Sequence, residues 1–213
     1  MSLLSPRNRL IAWLALAGVG LVLFFSGEYR DLGLPLGWFG SALFIASVWF
    51  AVDAVHRLPR SDDEGTLAPG EWQAWVGLAF ATALVVAMLG AAEVFRVALP
   101  IGENPDAGRA GTKVGTLFVA WLVLSHVLRQ RWSGRVLADE RDARIEAVAC
   151  EWGRWATVAC VIGIAVLLGF SETARLREFS YPFIAHLLMT TLVWGLWVEQ
   201  AVTVGLYWRD RRA

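Results

Sequence analysis

Charge interrupts this sequence at nearly regular intervals. Between the interruptions lie six stretches with no Asp, Glu, Lys or Arg: residues 10–27, 32–52, 72–92, 114–128, 155–171 and 179–198. A helix needs roughly 20 apolar residues to cross the ~30 Å hydrocarbon layer, with a working range of about 17–25. Four stretches reach that length comfortably, whereas 114–128 does so only if Lys113 and Arg129 extend their charges to the headgroups. A chain of 213 residues that is 57% hydrophobic, 18% charged and has a mean hydropathy of +0.52 is too apolar for an ordinary soluble domain. The expected fold is therefore all-α: one transmembrane domain over residues 1–213, with six membrane-spanning helices and the lipid bilayer as its first partner. The first stretch follows Arg7 and Arg9 like a signal peptide, but it ends Phe24-Phe25-Ser26-Gly27-Glu28 without an Ala-x-Ala cleavage pattern, so a retained helix is expected.

Orientation follows from where the basic residues lie. With the amino terminus inside, the cytoplasmic segments collect Arg7, Arg9, Arg57, Arg60, Arg129, Arg131, Arg135, Arg141, Arg144, Arg154, Arg209, Arg211 and Arg212, which is 13 of the 19 basic residues. The positive-inside rule then puts both termini in the cytoplasm. Tryptophans at 13, 72, 75, 132, 152, 155 and 208 fall at the inner boundary expected of an aromatic belt, and Trp38 falls at the outer one. Cys150 and Cys160 lie on one predicted helix about 15 Å apart along its axis, too far for a disulfide, and no CxxC pair suggests a thiolate metal site.

The odd-numbered stretches end alike. Glu28 is followed by Arg30 and Pro35, Glu93 by Arg96 and Pro100, and Glu172 by Arg175 and Pro182. A Pro suits the start of a returning helix. The returning stretches share a mid-span pair, Val48-Trp49, Ala120-Trp121 and Val193-Trp194, with polar residues about one turn later. These marks predict three hairpins, 10–55, 72–130 and 150–208, arranged as parallel repeats about an axis normal to the membrane. Small residues at Gly77, Ala81, Ala83, Ala87, Gly90 and Ala91 make the third helix the one expected at the bundle centre. The Gly-rich tract from Asn104 to Gly115 lacks the order of a phosphate loop and reads as an outer loop.

Between the fourth and fifth stretches runs Asp139-Glu140-Arg141-Asp142-Ala143-Arg144-Ile145-Glu146. Ile145, Val148, Ala149, Trp152 and Trp155 recur at helical spacing, Glu140 and Arg144 form a favourable i,i+4 pair, and the acidic first turn complements the helix dipole. An amphipathic cytoplasmic helix over about 137–152, running straight into the fifth span, is predicted. The segment from Asp139 to Ile145 and the hairpin after it resemble a family of bacterial and archaeal predicted membrane proteins marked by an Asp-Glu-Arg-Asp-x-x-Ile-like segment. The resemblance implies a multi-pass membrane protein and implies no reaction; the expected location is a bacterial plasma (inner) membrane. Asp139, Glu140, Arg141 and Asp142 are candidates for recognising a cytoplasmic protein, and the plainer alternative is a solvated helix docking by charge. Asp139, Glu140 and Asp142 could also attract a hard cation, but Arg141 and Arg144 intervene and no calcium loop is present.

Two further constellations carry ionisable groups. Asp53, His56, Ser125, His126 and Glu199 come from the three returning stretches and should form a polar layer in the inner third of the bilayer, where an ionisable group normally faces the bundle. That layer could pass a cation or protons, bind a metal, or only pair internally. His186 lies near the outer end of the sixth span, too far from His126 to share a haem with it. Glu28, Glu93 and Glu172 form a candidate outer ring, either helix-end ion pairs or a carboxylate ring at a pore mouth. No GxSxG, HExxH, Walker or GxGxxG pattern is present, and net charge is zero. Enzymatic activity, a cofactor and a nucleic-acid partner are not expected. The leading expectation is a non-enzymatic scaffold or regulator acting through the Asp139 to Glu146 helix, with a cytoplasmic protein partner or self-association. A cation- or proton-coupled transporter or channel is the alternative, and a metal- or redox-binding membrane protein a weaker one.

Overall fold

The computed structural model describes residues 6–26, 36–56, 69–132, 140–172, 176 and 179–212. Six long helices account for nearly all of them: α1 Pro6–Ser26, α2 Leu36–His56, α3 Pro69–Arg96, α4 Pro105–Trp132, α5 Glu140–Phe170 and α6 Tyr181–Asp210. No strand occurs among the described residues. Four of the helices, α3 to α6, are long and apolar enough to cross a membrane, which is compatible with a multi-pass membrane protein. α1 and α2 contribute shorter apolar stretches, Asn8–Phe24 and Phe39–Ala51.

The helix starts are written in proline and in small polar caps. Pro6, Pro69 and Pro105 each open a helix, where the absent N–H costs nothing. Ser180 caps α6 by accepting from the Phe183 N–H at 3.2 Å, with Pro182 inside the first turn. The start of α4 corrects the sequence expectation. Pro100 leads into a single 3-10 turn, Ile101–Glu103, and not into the returning helix. Asn104 then accepts from the Asp106 and Ala107 N–H groups at 3.1 and 3.2 Å, while its amide donates to the Val94 carbonyl at 3.1 Å. This N-cap lets the tract from Pro105 to Gly115 become helix instead of loop, because capped ends offset the weak helix propensity of Gly108, Gly111 and Gly115. The fourth span gains the length it lacked, reaching from Pro105 to Gln130.

The helices fall into two compact units. One comprises Met1–Leu67 and Ala120–Arg135; the other comprises Ala68–Val119 and Val136–Ala213. In the first, α1 and α2 pack along each other. A Cβ on Gly20 would meet the Phe44 backbone nitrogen at 2.7 Å, and one on Gly40 would collide with the Phe24 backbone, so glycine at both positions permits backbone-to-backbone approach. Trp13 stacks on Phe50 with ring centroids 4.6 Å apart.

In the second unit α6 is the shared neighbour, lying against both α3 and α5. The α5 to α6 crossing is close: a Cβ on Gly153 would meet the Gly195 carbonyl oxygen at 2.8 Å, and within α5 Thr157 Oγ1 donates to the Gly153 carbonyl at 3.0 Å. Along α3 the contacts are side-chain tailored. Trp197 Nε1 donates to Thr82 Oγ1 at 3.0 Å, and the Gln200 amide fills the space that a side chain at Gly77 would take. His186 is buried, stacks on Phe95 at 4.5 Å, and has Nε2 3.0 Å from the Met88 carbonyl. A carbonyl only accepts, so Nε2 carries the proton. α3 has the largest buried share of the four candidate spans and α5 the smallest.

Candidate functional site

Three helix ends meet at one end of the second unit: the starts of α3 and α5 and the finish of α6. The α3 and α5 starts carry the partial positive charge of their helix dipoles and the α6 finish the negative one. The sequence meets each with the opposite charge, Glu71 in the first turn of α3, Glu140 and Asp142 in that of α5, and Arg209 in the last turn of α6. Beneath them an apolar plug of Ala74, Ile145, Val204 and Tyr207, flanked by Leu78 and Leu206, excludes water from the junction.

The polar contacts on this plug form a clamp. Tyr207 Oη donates to Asp142 Oδ1 at 3.0 Å. Arg141 Nε donates to Asp210 Oδ2 at 3.1 Å, with Arg209 within 4.0 Å of the same carboxylate. Arg211 Nη2 lies 2.8 Å from Glu71 Oε1, close enough for an ion pair but off the hydrogen-bond direction. Glu71 is 2% exposed, so the guanidinium is the charge that compensates a carboxylate withdrawn from water. Gly70 makes the geometry possible, because a Cβ there would collide with the Tyr207 hydroxyl.

Beside the clamp, between α5 and α6, lies a groove of about 580 Å³. Arg141, Arg144, Arg209, Glu140 and Asp210 form its polar rim over Ile145, Val148, Trp152 and Leu206. Charged groups above an apolar floor suit an amphipathic segment or the headgroup zone of a bilayer.

The structure distributes the sequence-derived candidates unevenly. Of the partner-binding set, Asp139 lies outside the described residues; Arg141 and Asp142 are engaged by Asp210 and Tyr207; Glu140 is exposed. The buried stripe of α5 is Ile145, Ala149 and Gly153, whereas Trp152 and Trp155, expected on the same face, are about 60% exposed. The close approach of α6 at Gly153 explains the difference, since it rotates the narrow i, i+4, i+8 stripe inward and leaves the indoles outside. Of the polar layer, Asp53, Ser125 and His126 belong to the first unit and Glu199 to the second. Asp53 is exposed, Ser125 is half-buried, and His56 is the last residue of α2. His126 is exposed and its Nε2 accepts from the Gln130 amide at 2.8 Å. Glu199 occupies the notch above Gly153, which gives its carboxylate a packing position between α5 and α6.

Of the outer ring, Glu28 lies outside the described residues, as do Arg30, Pro35 and Arg175. Glu93 pairs with Arg96 at 3.5 Å, one turn before α3 ends, and Glu172 is exposed just beyond α5. Among the described residues no group of three or more His, Cys, Asp or Glu side chains is placed to hold a metal ion. Cys150 and Cys160 are both free thiols on α5.

Sequence reasoning passed over Glu71, Tyr207, Asp210 and Arg211, which supply the clamp with most of its contacts. Their signal was present as charge complementary to helix ends, but pairing the ends requires knowing that α3 and α5 both start where α6 finishes. No known protein family, curated protein or solved structure matches this chain.

Proposed function

We propose that the chain is a non-enzymatic, multi-pass membrane protein with six spans in three hairpins and both termini in the cytoplasm of a bacterial cell. In this reading it acts as a scaffold or regulator, presenting the cytoplasmic start of α5 to a protein partner. The observation that supports it is the clamp. Arg141 and Asp142 are held by the end of α6, so the segment around them is a fixed helical surface instead of a frayed end. A fixed surface binds at lower entropic cost than one ordered on binding. Ala143, Arg144, Ala147 and Glu151 are exposed on that helix and free to face a partner. Kinship with the Asp-Glu-Arg-Asp group of membrane proteins belongs to the same proposal and rests on residues Asp139 to Ile145 and the following hairpin.

A photo-reactive residue at Ala147 tests this in native membranes. The expected result is a discrete protein adduct that disappears when the clamp is opened by Tyr207→Phe combined with Arg141→Gln. An adduct pattern matching that of a probe at Val166, which is exposed in the apolar part of the same helix, would overturn the proposal.

A further inference from the structure

A second and larger groove, of about 810 Å³, lies between α3, α5 and α6 toward the opposite end of the second unit. Val85 and Leu89 of α3, Ile164 and Leu167 of α5, and Phe183 and Leu187 of α6 give it apolar walls. Its volume is in the range of about 300–1,000 Å³ typical of small-molecule sites. It is half open, and α5, the wall with the smallest buried share, exposes Ile162, Val166 and Phe170 elsewhere on its surface.

We propose that this groove seats one acyl chain of an anionic phospholipid whose phosphate is held by Arg96. Three observations carry the assignment. First, the groove runs along α6 from Phe183 to Trp194, eleven residues or about 16 Å of helix. That is close to half of the ~30 Å hydrocarbon layer, the depth one chain of a single leaflet occupies. Second, among the described residues lining it the one that is charged is Arg96, the last residue of α3, at the end where α6 begins and where a headgroup would lie. Third, among the described residues Arg96 is held but not saturated. Its guanidinium sits 5.3 Å from the Phe183 ring centroid, and its Nε is 3.5 Å from Glu93 in a pair whose side chains are 57% and 77% exposed. An exposed i,i+3 pair contributes little, whereas a guanidinium binds phosphate in a bidentate, charge-assisted geometry. The inference rests on α3, α5 and α6 crossing the bilayer and is independent of any cytoplasmic partner.

The full chain, reconstituted in nanodiscs of phosphatidylethanolamine and phosphatidylglycerol and released for native mass spectrometry, tests it. Wild type is expected to retain one phosphatidylglycerol in preference to phosphatidylethanolamine. Arg96→Gln is expected to lower that retention about tenfold, in line with loss of a charge-assisted hydrogen bond. Glu93→Gln, which removes the competing carboxylate, is expected to raise it. Gly163→Trp should abolish it, because Gly163 borders the groove and a Cβ there meets nothing within 4 Å, so the indole enters without backbone collision. Thermal unfolding in the same nanodiscs verifies that the variants are folded; the surface changes at 93 and 96 keep the test decisive if Gly163→Trp is not. Equal retention of the two lipids by wild type, or retention unchanged by Arg96→Gln, would overturn the proposal.

Discussion

Gly195→Leu is expected to separate α5 from α6 and to lower the thermal unfolding midpoint of the detergent-solubilised protein. A Cβ at this position already collides with the Thr157 hydroxyl and lies 3.0 Å from the Gly153 carbonyl oxygen. Thr157 is pinned to the same carbonyl by its 3.0 Å hydrogen bond, and a carbonyl in mid-helix has no rotamer to change. The helices must therefore move apart as bodies. Overpacking typically costs about 1–3 kcal/mol, and this site belongs at the top of that range because the displaced object is backbone. α5 has α6 as its neighbour in the unit, so moving it also forfeits the buried stripe of Ile145, Ala149 and Gly153. Gly205→Ala provides the control. A Cβ at Gly205 meets nothing within 4 Å, so the change should leave the midpoint unchanged or raise it, helix propensity adding up to ~1 kcal/mol of stability.

The second large effect is expected from Arg211→Ala. It leaves the Glu71 carboxylate buried with its countercharge gone. Breaking a wholly buried pair costs about 3–5 kcal/mol. Arg211 is itself about half exposed, so the nearer guide is the cost of leaving one buried polar group uncompensated, about 1–3 kcal/mol. The diagnostic is the double variant. Adding Glu71→Gln to Arg211→Ala removes the stranded charge, and most of the lost stability should return. Additive losses in the double variant would mean that the two side chains do not form the compensating pair described.

Much of the fold was readable because spans announce themselves by missing charge. The interval 72–92 falls inside α3, and 155–171 and 179–198 fall inside α5 and α6 but for Ser171 and for Phe179 and Ser180. The third helix, singled out for its small residues, has the largest buried share, but Gly90 meets nothing and Gly77 receives only the Gln200 side chain. The backbone contacts come instead at Gly153 with Gly195 and at Gly20 and Gly40. Isolated glycines carry no such label, since the same residue elsewhere faces open space. The fourth candidate span was underestimated because its charge-free interval starts only after Lys113 and the Gly-rich tract before it reads as a loop, whereas Asn104 with Pro105 starts the helix there. The clamp was half legible. Arg141 and Asp142 stood out as charges, but their partners Asp210 and Tyr207 lie more than sixty residues away, and only the packing of α5 on α6 brings them within reach.

Membrane sidedness carries the functional proposal, since the clamp can meet a cytoplasmic partner only if the start of α5 lies inside. With Cys150 and Cys160 replaced by Ser, single cysteines at Ala147, exposed near the clamp, and at Gly108, where a Cβ meets nothing, can be labelled by a membrane-impermeant thiol reagent. Labelling at 147 in inverted vesicles alone, and at 108 in right-side-out vesicles alone, is the predicted result; labelling at 147 from the outside would contradict the account.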